Sequence, residues 1–405
     1  MKKTNLFIKL TALVLAVCLT AVLFAGCGSS KTVVMSLEKD GKTYTITEDE
    51  FSLLMRIRKR IIFCNLLYTT SRDTTGFWQG KSDEEPEKTN EQYYKEIVMD
   101  QIKAILVEKY LSDSLGVSVS QNTLDGYKSS IKTAEKNYGG KGAYKQYFGY
   151  TAATYYNVYE QMVDKSEALL EHLCKEGGLL EVKDADLEAY YLENYVGYQY
   201  IVLDMKNKVV RDENGNRVLN KKKDEDGKEV DGDTYKTEEM TKEEKEAKEP
   251  LPESILAALK DGTKTFEQLI AEYSDVYYSV EFPEGQFVHK DGTFINTTVN
   301  GKVKDLEIGQ HTAEAIKSGD YLYIVKRVDL KEKVYDDDKY SEFFTDYKDA
   351  VEYEKYEEYV ETFFDDITVV TEITDSEKYS MEKTFLSAYV DEYYRNILYY
   401  YGFGS

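Results

Sequence analysis

The stretch "GDYLYIVKRVDL", from Gly319 to Leu330, decides how the chain is divided. Its apolar residues alternate, so that Leu322 and Ile324 face one side of an extended chain while Tyr323 and Val325 face the other. Alternation of this kind predicts a β-strand that presents one row of side chains to each face of a sheet. An acidic tract with helical periodicity follows, and we therefore expect this strand to be the last of its domain.

Bulk composition bounds the class of protein. The chain has 405 residues, 37 tyrosines and a formal net charge of −23. This length predicts two or three domains. The negative charge excludes a nucleic-acid binder, because phosphate neutralisation needs clustered lysine and arginine. The sequence has no glycine-rich phosphate loop and no Cys or His cluster at metal-ligand spacing, so we expect neither a metal nor a cofactor.

The N-terminal 27 residues indicate the compartment. Lys2 and Lys3 precede an apolar run from Leu10 to Phe24, which ends at the small residues before Cys27. This pattern is typical of a secretory signal peptide. The stretch "LFAGCGSS" also resembles a bacterial lipobox, although Phe24 stands where an aliphatic residue is usual. We expect lipidation of Cys27 and an extracytoplasmic protein anchored to the outer face of the membrane; the alternative is an ordinary cleaved signal. Two acyl chains suffice for stable anchoring.

Two further cysteines remain after removal of the signal peptide. Cys64 and Cys174 both lie in apolar segments with helical periodicity. An extracytoplasmic location permits a disulfide between them. We favour two buried thiols over that disulfide.

Short motifs predict where the first elements begin and end. Asp40-Gly41 is typical of a hairpin turn, and Thr47 with Glu50 forms a capping box at the start of the next helix. Gly116 ends a second helix, and Ser120 caps a third. Further along, the pattern predicts helices over 152–175 and 252–273 and a strand over 367–373.

A highly charged insertion spans about 207–249. It contains two similar turns, "DENGNRV" and "DEDGKEV". The spacing of Asp212, Asn214 and Asn216 suggests calcium ligation, but an EF-hand loop needs its glycine at position 6, whereas Gly215 lies at position 4. We favour a solvated insertion over a calcium site.

Several stretches, in order, resemble the secreted foldases of the PrsA and SurA type. The run "DGKTYTITEDEF" is similar to the hairpin and first helix of their N-terminal domain, and "SLGVSVSQNTL" to a helix junction there. The run "VKDADLEAYYLENY" is similar to the segment that leads into their parvulin-type prolyl isomerase domain. That domain is itself matched by "YIVL", "TFEQLIAEYSD", "DLEIGQHT" and "YIVKRVD".

This resemblance implies an α+β fold with a divided helical lobe. Residues 1–27 would be the lipoprotein signal peptide. Residues 31–196 would form the N-terminal helical domain, on which the C-terminal segment 332–405 packs. The parvulin-like domain, 197–331, would be inserted between them as a four-stranded antiparallel sheet with helices, and would carry the charged insertion 207–249.

The site residues of this chain depart from the parvulin pattern. Two histidines of the family, one in the first strand and one in the last, correspond to Tyr200 and Tyr323. A further Cys or Asp of the family corresponds to Val276. Phe294 stands near the position of a proline-binding methionine, and His289 lies close to it along the chain. We expect Phe294 and His289 to be candidate substrate-binding residues, and we expect no confident catalytic residue.

These departures bear on catalysis. Rotation of a peptide bond meets a barrier of roughly 18–20 kcal/mol, which an enzyme lowers with an apolar proline pocket and polar groups near the carbonyl. A tyrosine hydroxyl keeps a hydrogen bond but stays a neutral phenol, and Val276 supplies no polar group. We therefore expect weak or absent isomerase activity. Tyr200 and Tyr323 are either core aromatics, which we favour, or members of a rebuilt site.

The sequence thus predicts a membrane-anchored chaperone for unfolded or nascent secreted polypeptides. Most tyrosines are expected in cores and interfaces. The stripe that ends in "YYRNILYYYGFGS" is the best candidate for a client-binding surface, because tyrosine combines apolar area with a polar tip. Two alternatives stay open: an active prolyl isomerase with an altered site, and a non-catalytic scaffold lipoprotein with one partner.

Overall fold

The computed structural model describes residues 32–70, 76–224, 226–292 and 294–384, with the backbone alone for 63–70. Its strands, in chain order, are β1 (Val33–Lys39), β2 (Lys42–Thr47), β3 (Tyr195–Asp204), β4 (Asn207–Val209), β5 (Leu219–Lys223), β6 (Glu229–Tyr235), β7 (Thr237–Glu239), β8 (Gln286–His289), β9 (Ile316–Ser318), β10 (Tyr321–Val328) and β11 (Ile367–Val369). Its α-helices are α1 (Glu48–Thr70), α2 (Asn90–Leu115), α3 (Gln121–Asn137), α4 (Lys141–Phe148), α5 (Ala152–Thr154), α6 (Gln161–Cys174), α7 (Asp184–Asn194), α8 (Lys242–Lys248), α9 (Leu251–Lys260), α10 (Phe266–Tyr273), α11 (Tyr277–Glu281), α12 (Thr297–Val303), α13 (Tyr347–Glu361) and α14 (Thr371–Thr374).

The chain divides into two compact units. The first unit combines the residues up to Glu181 with those from Glu352 onwards, and the second comprises Val182–Val351. Helices and antiparallel sheets occur together, so the fold is a mixed α and β one. The second unit contains the whole predicted range 197–331 and extends beyond it at both ends. That its function is that of a parvulin-like domain stays a prediction.

The first unit is built around a small sheet to which both ends of the described chain contribute. Its strand order is β11-β1-β2, and β11 pairs antiparallel with β1 through Met35 and Val369. The core beneath it draws on the hairpin, on α2, on α13 and on the segment after α13: Met35, Leu37, Ile46, Val98, Ile102, Leu106, Tyr356, Val360 and Tyr379. Burying each large aliphatic side chain stabilises the fold by about 1.5–3 kcal/mol before entropy is counted.

The local motifs at the start of this unit are confirmed. Asp40 and Gly41 both have positive φ, at 53° and 72°, as a tight hairpin turn between β1 and β2 requires. The Thr47 amide donates to Glu50 Oε2 at 2.7 Å, which completes the predicted capping box of α1. Gly116 ends α2 in the left-handed region, and Ser120 caps α3.

The second unit contains a four-stranded antiparallel sheet of order β8-β3-β10-β9. The stretch that includes Tyr323 is its central strand β10, paired along its whole length with β3. One face of the sheet carries Ile201, Leu203 and Ile324 and is covered by α9 and α10. The other face, which we call the tyrosine face, carries Tyr198, Tyr200, Val202, Tyr323 and Val325 and packs against α12.

Three predicted elements differ from the structure. The helix predicted over 252–273 is two helices, α9 and α10, because Gly262 at φ 64° ends the first of them. The strand predicted over 367–373 is limited to β11, and residues from Thr371 turn into α14. The helix predicted over 152–175 includes a π-helix at Tyr155–Glu160. A π-turn changes which residues share a face, and period-3.6 patterns do not reveal it.

The charged insertion is folded as two antiparallel strand pairs, β4 with β7 and β5 with β6. Asp212 Oδ1 accepts hydrogen bonds from the amides of Asn214 and Asn216, at 2.9 and 2.8 Å. Asp224 Oδ1 accepts in the same way from the amides of Asp226 and Lys228. The spacing that suggested calcium therefore serves to close two tight turns. Within the part of the chain that the structure describes, no cluster of three or more His, Cys, Asp or Glu side chains suits a metal.

Candidate functional site

Four of the residues predicted for the site lie together on the tyrosine face. Tyr200 is paired with Val325 and Tyr323 with Val202, so the two tyrosines are diagonal neighbours on adjacent strands. Val276, before α11, and Phe294, before α12, pack against the same cluster. These four residues therefore lie close together, and every one of them is apolar or aromatic.

Tyr200 is held as a core residue with a satisfied hydroxyl. It is 7% exposed, and its hydroxyl donates to Gln286 Oε1 at 3.1 Å. The ring of Phe294 meets the Tyr200 ring edge to face at 5.2 Å between centroids, a favourable aromatic arrangement. Burial raises the pKa of Tyr200 well above its ordinary value, so the phenol is neutral at physiological pH.

Tyr323 has a similar environment. It is 8% exposed, and burial raises the pKa of its phenol too. Two neutral phenols can donate or accept hydrogen bonds, but neither exchanges a proton near neutral pH as an imidazole does. The geometry favours packing of the sheet over proton transfer at these two positions.

The loop before Val276 fixes this residue through contacts that the sequence pattern did not reveal. Ser274 Oγ accepts a hydrogen bond from the Val202 amide at 3.0 Å. Asp275 Oδ2 accepts from the Asp204 amide at 2.9 Å and from Lys248 Nζ at 2.7 Å. The "YSD" motif therefore attaches the loop to β3. The hydroxyl of Ser274 and the carboxylate of Asp275 thus accept hydrogen bonds that hold the loop in place.

The structure places His289 away from Phe294. His289 lies in β8 opposite Tyr195, and its ring lies 5.6 Å from that of Tyr195 and 6.3 Å from that of Tyr190. Both tyrosines pack against a separate aromatic cluster that includes Tyr191 and Phe287. A role for His289 in substrate binding stays a prediction, and proximity along the chain was its basis.

Some predicted functional residues lie outside the described residues. These are Cys27, with the whole signal peptide, and the C-terminal tyrosine stripe. The side chain of Cys64 is also outside them, so its pairing with Cys174 stays open. Cys174 is buried, and its Sγ lies 3.7 Å from the Glu352 carbonyl oxygen.

The first unit contains an open cleft that we call the tyrosine cleft, with a volume of about 440 Å³. Six aromatic residues line it: Tyr138, Tyr144, Phe148, Tyr150, Tyr155 and Tyr156. Polar side chains of α3 and the guanidinium of Arg60 complete the lining. The tyrosines that line this cleft come from α4, the π-helix and the turns beside them. Tyr155 and Tyr156 belong to the helix predicted over 152–175, but the sequence pattern did not indicate that they face a cleft.

Ring contacts make the tyrosine cleft a continuous aromatic surface. Tyr144 and Phe148 lie 4.4 Å apart between ring centroids, and Tyr150 stacks on Tyr155 at 6.0 Å with an interplanar angle of 12°. Burial raises the pKa of Tyr144, which stays neutral. Tyr138 is 39% exposed at the cleft. Such a surface offers large apolar contact area with polar hydroxyl tips.

Comparison with known proteins finds limited similarity. No protein-family model and no curated protein matches the chain. Among solved structures, the chain is similar to PrsA from Bacillus subtilis, with 18% identity, a TM-score of 0.23, and coverage of 70% of this chain and 91% of that one. It is also similar to the foldase protein PrsA from Streptococcus pneumoniae, with 16% identity, a TM-score of 0.21, and coverage of 68% and 86%. A peptidylprolyl isomerase, PrsA from Bacillus cereus, gives 15% identity, a TM-score of 0.22, and coverage of 71% and 88%. At these values the function has to be argued from the residues of this chain.

Proposed function

We propose that this protein is an extracytoplasmic chaperone of the foldase type, which holds unfolded secreted polypeptides through its helical unit. The tyrosine cleft is the observation that carries the proposal. It exposes a continuous aromatic surface on a protein with a net charge of −23, which keeps the protein soluble while it binds apolar chain segments. The order of the foldase-like motifs along the sequence supports the same function.

The sheet of the second unit is proposed to retain the shape of a prolyl isomerase domain with weak or no activity. Tyr200 and Tyr323 occupy the positions of the family's histidines, and both are buried with raised pKa values. Catalysis requires groups that interact better with the twisted amide than with the planar one. Buried phenols that pack the sheet do not supply this preference.

The proposed anchor is a lipid on Cys27, and its support is the lipobox-like sequence. Within the described residues, no helix combines the length and apolar character needed to span a bilayer. Replacement of Cys27 by serine is expected to move the protein from the membrane fraction to the medium. Retention of the Cys27→Ser variant in the membrane would contradict the lipid anchor.

Aggregation assays test the chaperone function. The chain without its first 27 residues is expected to suppress light scattering by several unrelated unfolded proteins at comparable molar concentration. Tyr138→Ser, at the cleft, should weaken this effect. Tyr321→Ser is the matched control, because Tyr321 is 38% exposed but lies on β10 in the second unit.

Two results would count against the proposal. Failure to suppress aggregation of any of these proteins would contradict a general chaperone. Binding of one dedicated partner alone would favour the scaffold alternative instead.

A further inference from the structure

A second cavity in the first unit, which we call the acidic cavity, has a volume of about 470 Å³. Residues of α1, α2, α6 and α13 contribute to its lining. Its charged residues are five carboxylates and one guanidinium: Asp100, Glu108, Glu167, Glu357, Glu361 and Arg58. Asp100 is paired with Lys103 at 2.7 Å. The other four carboxylates still outnumber the single guanidinium of Arg58, so the lining is predominantly anionic.

Glu108 is the most deeply buried carboxylate of this cavity. It is 8% exposed, and its Oε1 accepts hydrogen bonds from Ser166 Oγ at 2.7 Å and from the Tyr356 hydroxyl at 2.8 Å. Burial raises the pKa of Glu108, while these two hydroxyl donors and the charge of Arg58 act in the opposite direction. An additional cation would stabilise the ionised carboxylate further.

The remaining lining suits the stem and head of a long basic side chain. Tyr159, Tyr353 and Tyr356 contribute aromatic rings, and Tyr353 is 54% exposed. The ring of Phe364 also lines the cavity, but Lys103 Nζ already lies 5.2 Å from its centroid. Met162, Val163 and Val360 contribute apolar surface. Lysine and arginine bury their methylene stems against such surface, and their charged heads are attracted to aromatic faces and carboxylates.

We propose that the acidic cavity binds a lysine or arginine side chain of a client polypeptide, in a segment where apolar residues flank the basic one. The inference rests on the proposed chaperone function and names the class of client segment. Charge complementarity identifies the occupant, because the cavity is anionic and the whole protein carries a net charge of −23. The cavity lies within one unit, so all of its binding groups belong to the same compact body.

Binding is expected to depend on pH through Glu108. The charged and titratable groups that line a cavity together with Glu108 come from every element packed against it. They are Glu50 and Arg58 on α1, Asp100 and Lys109 on α2, Tyr159 on the π-helix, Lys165 and Glu167 on α6, and Tyr353, Tyr356, Glu357 and Glu361 on α13. A cation bound beside Glu108 favours its ionised form, so affinity should fall as the pH is lowered. An ordinary glutamate has a pKa of about 4.3. Because burial raises the pKa of Glu108, the decrease in affinity should begin at a higher pH than it would for an ordinary glutamate.

Fluorescence anisotropy with two labelled nonapeptides tests the inference. Both contain leucine and phenylalanine around a central residue, which is arginine in one and citrulline, its neutral isostere, in the other. The arginine peptide should bind about 5- to 30-fold more tightly, corresponding to one or two kcal/mol of charge recognition. Glu108→Gln should reduce this preference, while Asp125→Asn, at an exposed carboxylate on α3, should preserve it.

A second variant covers the case in which Glu108→Gln does not fold. The side-chain amide oxygen in the Glu108→Gln variant can still accept both hydroxyl hydrogen bonds, so we expect this variant to fold. If it does not, Glu357→Gln, at an exposed position of the same lining, is expected to reduce the preference. Equal binding of the two peptides by the unmodified protein, or an unchanged preference in both variants, would overturn the inference. Suppressed aggregation without arginine preference would refute this site and leave the chaperone function standing. Arginine preference without suppressed aggregation would support this site and refute the chaperone function.

Discussion

Replacement of Tyr200 separates a packing role from a rebuilt catalytic site. Tyr200 is 7% exposed, its ring packs against that of Phe294, and its hydroxyl donates to Gln286. If packing is its role, the free energy of unfolding should follow how much of the side chain is removed. If it serves a rebuilt site, its loss should change activity with little effect on stability.

The expected magnitudes follow from these contacts. Tyr200→Phe keeps the ring and leaves the buried Gln286 without its donor, which costs about 1–2 kcal/mol. Tyr200→Ala removes the ring as well and should cost about 3–5 kcal/mol, as other buried aromatic truncations do. Tyr321→Ala is the control: Tyr321 is 38% exposed on the neighbouring strand β10, and its loss should cost about 0.5 kcal/mol or less.

Hydrogen exchange followed by mass spectrometry measures these effects locally, which suits a chain with two compact units. Exchange protection of the β3 and β10 amides should fall about tenfold for each 1.4 kcal/mol lost. Tyr200→Ala should therefore lose at least about sixtyfold more protection than Tyr321→Ala. Equal protection in these two variants, or equal losses for Tyr200→Phe and Tyr200→Ala, would refute the packing argument.

Three further substitutions have defined outcomes. Because burial raises the pKa of Glu108, the folded protein holds this proton to higher pH than the unfolded chain; its contribution to stability is present at low pH and lost as the pH rises through the folded pKa. Urea unfolding at about pH 5 and about pH 7 should therefore show the unmodified protein losing more stability than Glu108→Gln between the two, and a parallel loss would contradict the assignment. Gly197→Ala places a methyl group 2.9 Å from Val328 Cγ2 and should cost about 1–3 kcal/mol in exchange protection of β3, whereas unchanged protection would show that the site has room. Thr47→Ala removes its part of the capping box with Glu50 and should cost about 1 kcal/mol in urea unfolding; no loss would mean that the cap contributes little.

Features set by local chemistry were predictable from the sequence. The Asp40-Gly41 turn needs two residues that tolerate positive φ, and the Thr47 cap needs an oxygen acceptor for the orphan amides of a helix start. Gly116 and Ser120 follow the same logic at the end of α2 and the start of α3. These signals depend on a few adjacent residues, so tertiary contacts seldom override them.

Features that depend on non-local packing were not predictable in the same way. The tyrosine cleft depends on a π-helix, whose period differs from that used to recognise helices. The acidic cavity depends on Glu108, which follows Ala104 and Ile105 by one helical turn on a largely apolar face of α2. A carboxylate at such a position was the available signal. The sequence did not indicate that Tyr356, 248 residues further along the chain, donates a hydrogen bond to this carboxylate.

The resemblance to foldases led to four residues that pack together on the tyrosine face: Tyr200, Val276, Phe294 and Tyr323. The resemblance did not indicate how Ser274 and Asp275 attach the loop to β3. It also did not separate His289, which lies in β8 opposite Tyr195, from Phe294, whose ring packs on Tyr198 and Tyr200.

Refolding of a client whose slow phase is limited by proline isomerisation distinguishes a chaperone that holds unfolded chains from an active prolyl isomerase. This phase takes tens to hundreds of seconds at about 25 °C without catalysis, and its rate and its yield are read from the same trace. Addition of the chain without its first 27 residues should raise the yield of folded client and leave the rate constant of the slow phase unchanged. A slow-phase rate constant that rises in proportion to the concentration of this protein would contradict the account, because it would mean that the domain with Tyr200 and Tyr323 still isomerises prolyl bonds.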